Sequence, residues 1–192
     1  MCRFSEANRR KLGNVVSYIA RHAKYPYKTE ILKLLFLMEE QMVLRYHVPF
    51  LGIPFSVWRM GPVSVDVFEE LSDGPSLLEE YISIQTNGQG IKVSPKCEFE
   101  EDEFSNAELD MMKSVIMKYG QMNSEELIKE THREGGLWKL TAAEYDLLED
   151  FDNKRANSSS VIIDMGRCLC PDDRRFYDET LAIRHTANML RN

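Results

Sequence analysis

The side chains best suited to acid–base chemistry lie in the stretch THREGGLW, where His132 and Glu134 are separated by one residue. A carboxylate can orient a histidine so that it acts as a general base. One hypothesis is therefore an enzyme of unknown reaction that uses His132. The simpler interpretation is a loop, in which His132 binds a backbone group and Trp138 fills the core. No other catalytic motif accompanies the pair, so the sequence favours the loop.

Other side chains that bind metals or attack substrates are scattered along the chain. The remaining histidines are His22, His47 and His185, and none has the spacing of a metal-binding motif. The cysteines are Cys2, Cys97, Cys168 and Cys170, which do not form the two C-x-x-C-type pairs of a zinc ribbon. The sequence also lacks a phosphate-binding loop, a dinucleotide-binding glycine pattern and a G-x-S-x-G motif. We therefore expect no catalytic residue, no cofactor and no metal.

The composition is that of an acidic globular protein. With 192 residues, 43% of them hydrophobic, the chain can form one full core and at most a small appendage. Its net charge of −7 disfavours nucleic acid as a partner, because binding to phosphates depends on clustered Lys and Arg. The helix–turn–helix pattern over residues 105–131 is weak for the same reason, since its second helix, SEELIKETH, is acidic. No apolar run is long enough to span a membrane and the first residues are polar, so we expect a cytoplasmic protein.

Hydrophobic periodicity predicts the elements of the first half. Apolar residues at helical spacing indicate amphipathic helices over residues 5–23 and 28–46, and the broad apolar stripe of the second is typical of a central helix. The alternating FSVWR that follows predicts a strand. Farther on, two alternating runs flank NGQG, which predicts a hairpin over residues 81–94.

The stretch VWRMGPVS, which follows the start of that first strand, could be a corner, a contact surface or a ligand cradle. In the structural interpretation Gly61 turns the chain, Pro62 begins a helix and Trp58 anchors the sheet on the helices. Arg59 alternates with Trp58 and should face the opposite way. In the second interpretation Arg59 and Met60 contact a partner, because Trp, Arg and Met are enriched at interfaces. We favour the structural corner and keep the contact surface as the alternative.

Helical patterns also dominate the second half. A capping-box pattern, S-x-x-E, begins a helix over residues 105–120, and a short helix follows at 124–131. A loop is predicted over residues 131–141, followed by a helix that Thr141 caps. Val161 begins a brief extended piece, and Pro171 opens the last helix.

These elements predict an α+β fold that is mainly α-helical, a compact helical domain with a small antiparallel β-sheet or hairpin. We place this domain at residues 1–150. Residues 151–192 are predicted to be a C-terminal extension with a terminal helix, packed on the same domain.

Two blocks of the sequence resemble the Panacea domain family, which includes SocA-like antitoxins and phage-associated proteins. The first block is KTEILKLLFLMEEQMVLRYHVPFLGIPFSVWRMGPVSVDVFEEL, and its KLLFL, RY-x-x-P and GPV segments match the family pattern. The second is ELDMMKSVIMKYGQMNSEELIKETHREGGLWK, with the family's Y-G and T-H-x-E-G segments and a tryptophan. His47 and Met60 depart from the pattern, which commonly has Gly and Tyr there. The two blocks together cover about residues 10–140.

The resemblance implies an antitoxin of a toxin–antitoxin system that neutralises a cognate protein toxin, encoded nearby, by direct binding. An acidic module also suits a basic partner. The candidate partner-binding residues are Trp58, Arg59, Met60, His132 and Glu134, and the structural residues of the motifs are Gly61, Pro62 and Trp138. Three other functions remain open: an adaptor that delivers its partner to a protease, a regulator of transcription, and an enzyme that uses the His132 region. Assembly into a homo-oligomer also remains open.

Overall fold

A long central helix, α2 (Lys28–Tyr46), organises the fold. The structure is a computed structural model that describes residues 6–72 and 74–190, with side chains described for 8–72, 74–184 and 186. Every residue of α2 from Glu30 to Glu40 is buried, so the helix is enclosed on all sides along these three turns. The central helix predicted from the sequence is therefore confirmed.

The first helix, α1 (Glu6–His22), packs against α2 and against the hairpin of residues 82–95. Its apolar residues recur at helical spacing, and Leu12, Val15, Val16 and Ile19 are all buried, as predicted. The predicted start at Ser5 lies outside the described residues, as does Cys2.

The first hairpin consists of β1 (Ser56–Trp58) and β2 (Gly61–Val63), joined by a turn at Arg59 and Met60. Gly61 turns the chain as predicted, with a φ of +102°. The prediction that Pro62 begins a helix is wrong, because Pro62 lies in β2 and the helix α3 (Val65–Glu70) begins three residues later. Pro62 has no N–H to donate, and none is needed here because the backbone nitrogen at this position of β2 points away from β1.

An extended C-terminal segment, residues 157–163, lies along the outer edge of β1. Val57 N donates to Val161 O at 2.9 Å, and Ile163 N donates to Phe55 O at 2.8 Å. The bridge between Ser56 and Ile162 is antiparallel. The segment therefore covers the edge of β1 that β2 leaves open. The division of the chain into residues 1–150 and 151–192 stays a prediction.

The second hairpin, β3 (Ile82–Asn87) and β4 (Gly90–Pro95), is the one predicted around NGQG, which is thereby confirmed. The outer edge of β4 contacts the connection between α1 and α2, where Val93 N donates to Pro26 O at 2.8 Å. The hairpin is thus fixed to the helices through β4.

The second half contains the remaining helices, which are α4 (Asn106–Tyr119), α5 (Ser124–Thr131), α6 (Leu137–Glu144), α7 (Leu147–Asp152) and α8 (Pro171–Leu190), after a 3₁₀ turn at Glu101–Glu103. The capping box of Ser105 and Glu108 at the start of α4 is confirmed. The predicted loop over residues 131–141 is confirmed at residues 132–136 only, and the predicted cap at Thr141 is wrong. The helix α6 begins at Leu137, and the Thr141 hydroxyl donates to Leu137 O at 2.8 Å within it.

Within the described residues the fold comprises eight α-helices and two antiparallel sheets of two strands each, which confirms the predicted mainly helical α+β class. None of the helices in this part of the chain combines the length and apolar character needed to cross a membrane.

Candidate functional site

The β1–β2 turn presents Met60 to solvent, with 51% of the residue exposed. Its neighbour Arg59 is held by the C-terminal segment, since Arg59 Nε donates to Asn157 Oδ1 at 2.8 Å and Arg59 N donates to Asn157 O at 3.0 Å. The half-buried Trp58 packs edge-on against Phe68, with ring centroids 5.0 Å apart. The turn therefore exposes the apolar side chain of Met60, while contacts with the rest of the chain fix its neighbours Arg59 and Trp58.

Three of the residues singled out in the sequence meet behind this turn. The ring of His132 stacks on Trp138, with centroids 3.6 Å apart and planes within 11°. The indole Nε1 of Trp138 donates to the carbonyl of Trp58 at 3.0 Å. Trp138 is 3% exposed, and this hydrogen bond joins α6 to β1 inside the protein.

Glu134 lies apart from this group. Its side chain is 89% exposed, and its carboxylate lies 3.6 Å from Lys139 Nζ. Among the described residues no hydrogen bond or ion pair joins Glu134 to His132. The arrangement therefore does not form the carboxylate-oriented base that the sequence pattern left open.

The environment of His132 keeps its ring neutral. Burial lowers the pKa of His132 to about 4, and the positive charges of Lys33 and Lys139 act in the same direction. Its Nε2 is buried and has no hydrogen-bond partner within the described residues. The ring thus serves as an uncharged surface stacked on Trp138.

A buried lysine, Lys33 of α2, lies beneath the hairpin and is 2% exposed. Its Nζ donates to the carbonyl of Pro62 at 3.1 Å, and burial lowers its pKa to about 7. Space for this side chain depends on Gly61, since a Cβ there would lie 2.9 Å from Lys33 Cε and 3.0 Å from Thr131 Oγ1. Sequence reasoning missed Lys33, although a lysine inside a broad apolar stripe was the visible signal.

Two turns farther along α2, Glu40 is 1% exposed and pairs with Arg133, at 2.7 Å between Oε2 and Nη2. Burial raises the pKa of Glu40, and the Arg133 guanidinium opposes this change. The other oxygen, Oε1, is buried without a partner within the described residues, as is Ser64 Oγ. Lys33 and Glu40 are seven residues apart and therefore lie on the same face of α2. Two charged side chains are thus buried on this face of α2, Lys33 against Pro62 and Glu40 against Arg133.

A second buried carboxylate, Glu39, fixes the loop before β1. Its two oxygens accept backbone N–H groups of Phe50, Leu51 and Gly52 at 2.8–3.3 Å. Burial raises the pKa of Glu39, whereas these donors favour the charged form. The side chain is 1% exposed and acts as a structural anchor.

The described part of the chain also has cavities outside the His132 region. One of about 600 Å³ lies between the α1–α2 connection, the tip of the second hairpin and the start of α5. Cavities of about 350 Å³ and 260 Å³ flank the C-terminal segment where it lies on β1. The described residues contain no group of three or more His, Cys, Asp or Glu side chains that could hold a metal ion.

Comparison with protein families matches residues 31–139 to the family described as "Antitoxin SocA-like, Panacea domain". The matched region contains α2 from Ile31 onward, both hairpins, His132 and Trp138, and ends before the C-terminal segment. No curated protein and no solved structure gives a significant match to the chain.

Proposed function

The chain belongs to the SocA-like, Panacea domain family of antitoxins, and on that premise we propose that it neutralises a cognate protein toxin by direct binding. The observation that carries the proposal is the match itself, which covers more than half of the chain and supports an antitoxin-type role. In this proposal the toxin is encoded nearby, both proteins act in the cytoplasm, and the chain is not an enzyme.

The charge and the exposed turn support binding as the mode of action. The net charge of −7 favours a basic partner, because complementary charge speeds association. Met60 offers an exposed apolar side chain on a turn that Arg59 and Trp58 hold in place. The neutral, stacked His132 supports a packing role over acid–base catalysis.

Purified proteins test this proposal. Each product of the genes that flank this one is mixed with the chain, and the dissociation constant is measured by calorimetry. We expect one flanking product to bind, and Met60→Asp to weaken binding by about tenfold or more, the scale of losing an apolar contact in an interface. Met117→Asp is the matched control, since Met117 is 82% exposed on α4.

The lifetime of the bound protein in cells separates neutralisation by contact from delivery to a protease. Contact alone predicts a stable, silent partner, whereas delivery predicts a shorter partner lifetime when the chain is present. If no flanking product binds, the proposed function fails.

A further inference from the structure

The strand β3 has one edge bonded to β4 and one edge that faces away from it. In β4, the N–H of Val93 donates to Pro26, on the side away from β3. Backbone groups alternate in direction along a strand. Because Val93 is paired with Ile84, the N–H and C=O groups of Ile84 and Thr86 also point away from the hairpin.

This outer edge of β3 is unpaired within the described residues. Ile82 N donates to Leu78 O at 3.0 Å, where the edge begins. Beyond that point the N–H groups of Ile84 and Thr86 have no backbone partner in this part of the chain. The edge of β1 is different, since residues 157–163 bond to it. Among the described residues, the fold therefore covers one strand edge with its own chain and leaves another open.

The sequence of β3 does not protect this edge. Natural edge strands avoid pairing through charged side chains, prolines, bulges or short length. The strand ISIQTN has six residues, no charge and no proline, and its pairing with β4 is continuous in register. Two isoleucines and a threonine favour extended structure. Such an edge is suited to accept another strand.

We infer that the outer edge of β3 binds an extended segment of the protein partner, which adds a third strand to the hairpin. The inference rests on the proposed function, because that partner is the proposed toxin. The groups that bind are the main-chain N–H and C=O of Ile84 and Thr86. The added strand carries a basic residue at the end beside Glu79, whose carboxylate is exposed and forms no ion pair within the described residues, while Lys96 Nζ donates to the Glu79 carbonyl.

Charge argues for this occupant over a second copy of the chain. Two copies would each bring a net charge of −7 to a contact in which six uncharged residues pair. The negative charge of the chain attracts a basic partner, whereas it repels a second copy of the same chain.

Amide hydrogen exchange on the complex tests the inference directly. The complex is formed with the flanking gene product that binds the chain, and exchange is followed at single residues by NMR. We expect the amides of Ile84 and Thr86 to exchange rapidly in the free chain and to become protected by about tenfold or more in the complex. Ser83 and Gln85, which bond to β4, are protected in both and serve as internal references.

Two pairs of variants give an independent readout. Thr86→Pro removes an N–H that bonds to nothing in the described chain, so we expect the melting temperature to be kept and the dissociation constant to rise by about tenfold. Thr86→Val keeps the N–H and is the matched control. Glu79→Lys should slow association by about threefold at low salt, whereas Glu179→Lys, at an exposed position of α8, should not.

The outcomes separate the two proposals. Binding with unchanged exchange at Ile84 and Thr86, or with unchanged affinity in a folded Thr86→Pro variant, overturns this inference and leaves the proposed function standing. A chain that is dimeric alone, and that Thr86→Pro converts to a monomer with full affinity for the partner, assigns the edge to a second copy and also overturns it. If no flanking product binds, the proposed function fails and this inference fails with it.

Discussion

Replacing Lys33 by methionine should change the free energy of unfolding in opposite directions at low and high pH. Lys33 is 2% exposed, and burial lowers its pKa from 10.5 to about 7. In the unfolded chain the pKa returns to its ordinary value. Between pH 7 and 10.5 the unfolded chain therefore binds more protons than the folded one, and Lys33 makes stability rise with pH across this window.

The size of the effect follows from the width of that window. At about 1.4 kcal/mol for each pH unit, the interval corresponds to at most about 5 kcal/mol, which is the full cost of the buried ammonium below pH 7. Methionine removes this cost but leaves the carbonyl of Pro62 without its donor, at about 1–3 kcal/mol. We expect Lys33→Met to be more stable than the wild type by about 2–4 kcal/mol near pH 6, and less stable by up to about 2 kcal/mol near pH 10.

Urea unfolding at pH 6, 8 and 10 measures this reversal. Lys113→Met, at an exposed position of α4, is the matched control for exchanging an ammonium for a thioether. A difference between Lys33→Met and the wild type that stays the same at all three pH values would refute the reasoning. It would mean that the ammonium of Lys33 is solvated or paired in the folded protein.

Three further substitutions test the neutral ring of His132, the anchor at Glu39 and the close approach at Gly61. Because the pKa of His132 is lowered to about 4, the wild type should lose stability as the pH falls from 6.5 to 4, and His132→Phe should lessen that loss in urea unfolding. If the variant loses as much stability over this pH range as the wild type, the neutral ring is contradicted. Glu39→Gln should lower the free energy of unfolding by about 3 kcal/mol, because an amide NH₂ would face backbone N–H donors; a loss below about 1 kcal/mol would argue against the anchor. Gly61→Ala should destabilise the folded protein by about 2 kcal/mol more than Gly74→Ala in thermal unfolding. Both glycines have a φ near +100°, but only the Cβ at residue 61 would lie 2.9 Å from Lys33 Cε. Equal losses would show that the new Cβ does not press on Lys33.

The sequence predicted the elements whose signals are local. The helix α2 has a broad apolar stripe, α4 has its capping box, and the hairpin of β3 and β4 has NGQG between alternating runs. Each signal depends on residues within a few positions of one another. The helix α5 was predicted with its observed bounds for the same reason.

The sequence misled where a distant contact decides the local structure. Pro62 was predicted to begin a helix, but in the folded chain its carbonyl accepts from Lys33, 29 positions earlier. The extended piece at Val161 was visible, yet its partner, Val57, lies about a hundred positions away. No local pattern encodes either contact.

The candidate site was predictable in its residues but not in its arrangement. Trp58, His132 and Trp138 were all singled out, and the structure brings them together. Glu134 was grouped with His132 because the two are close in sequence, but the chain turns its side chain into solvent. Lys33 was overlooked although it lies inside the apolar stripe of α2, because lysine side chains are seldom fully buried.

Growth of cells that express a flanking gene, alone and together with this chain, tests the central claim most directly. The proposed antitoxin function predicts that one neighbouring product stops growth and that co-expression of this chain restores it. The claim would be contradicted if no neighbour arrests growth, or if the arrest persists although the chain is made in full amount.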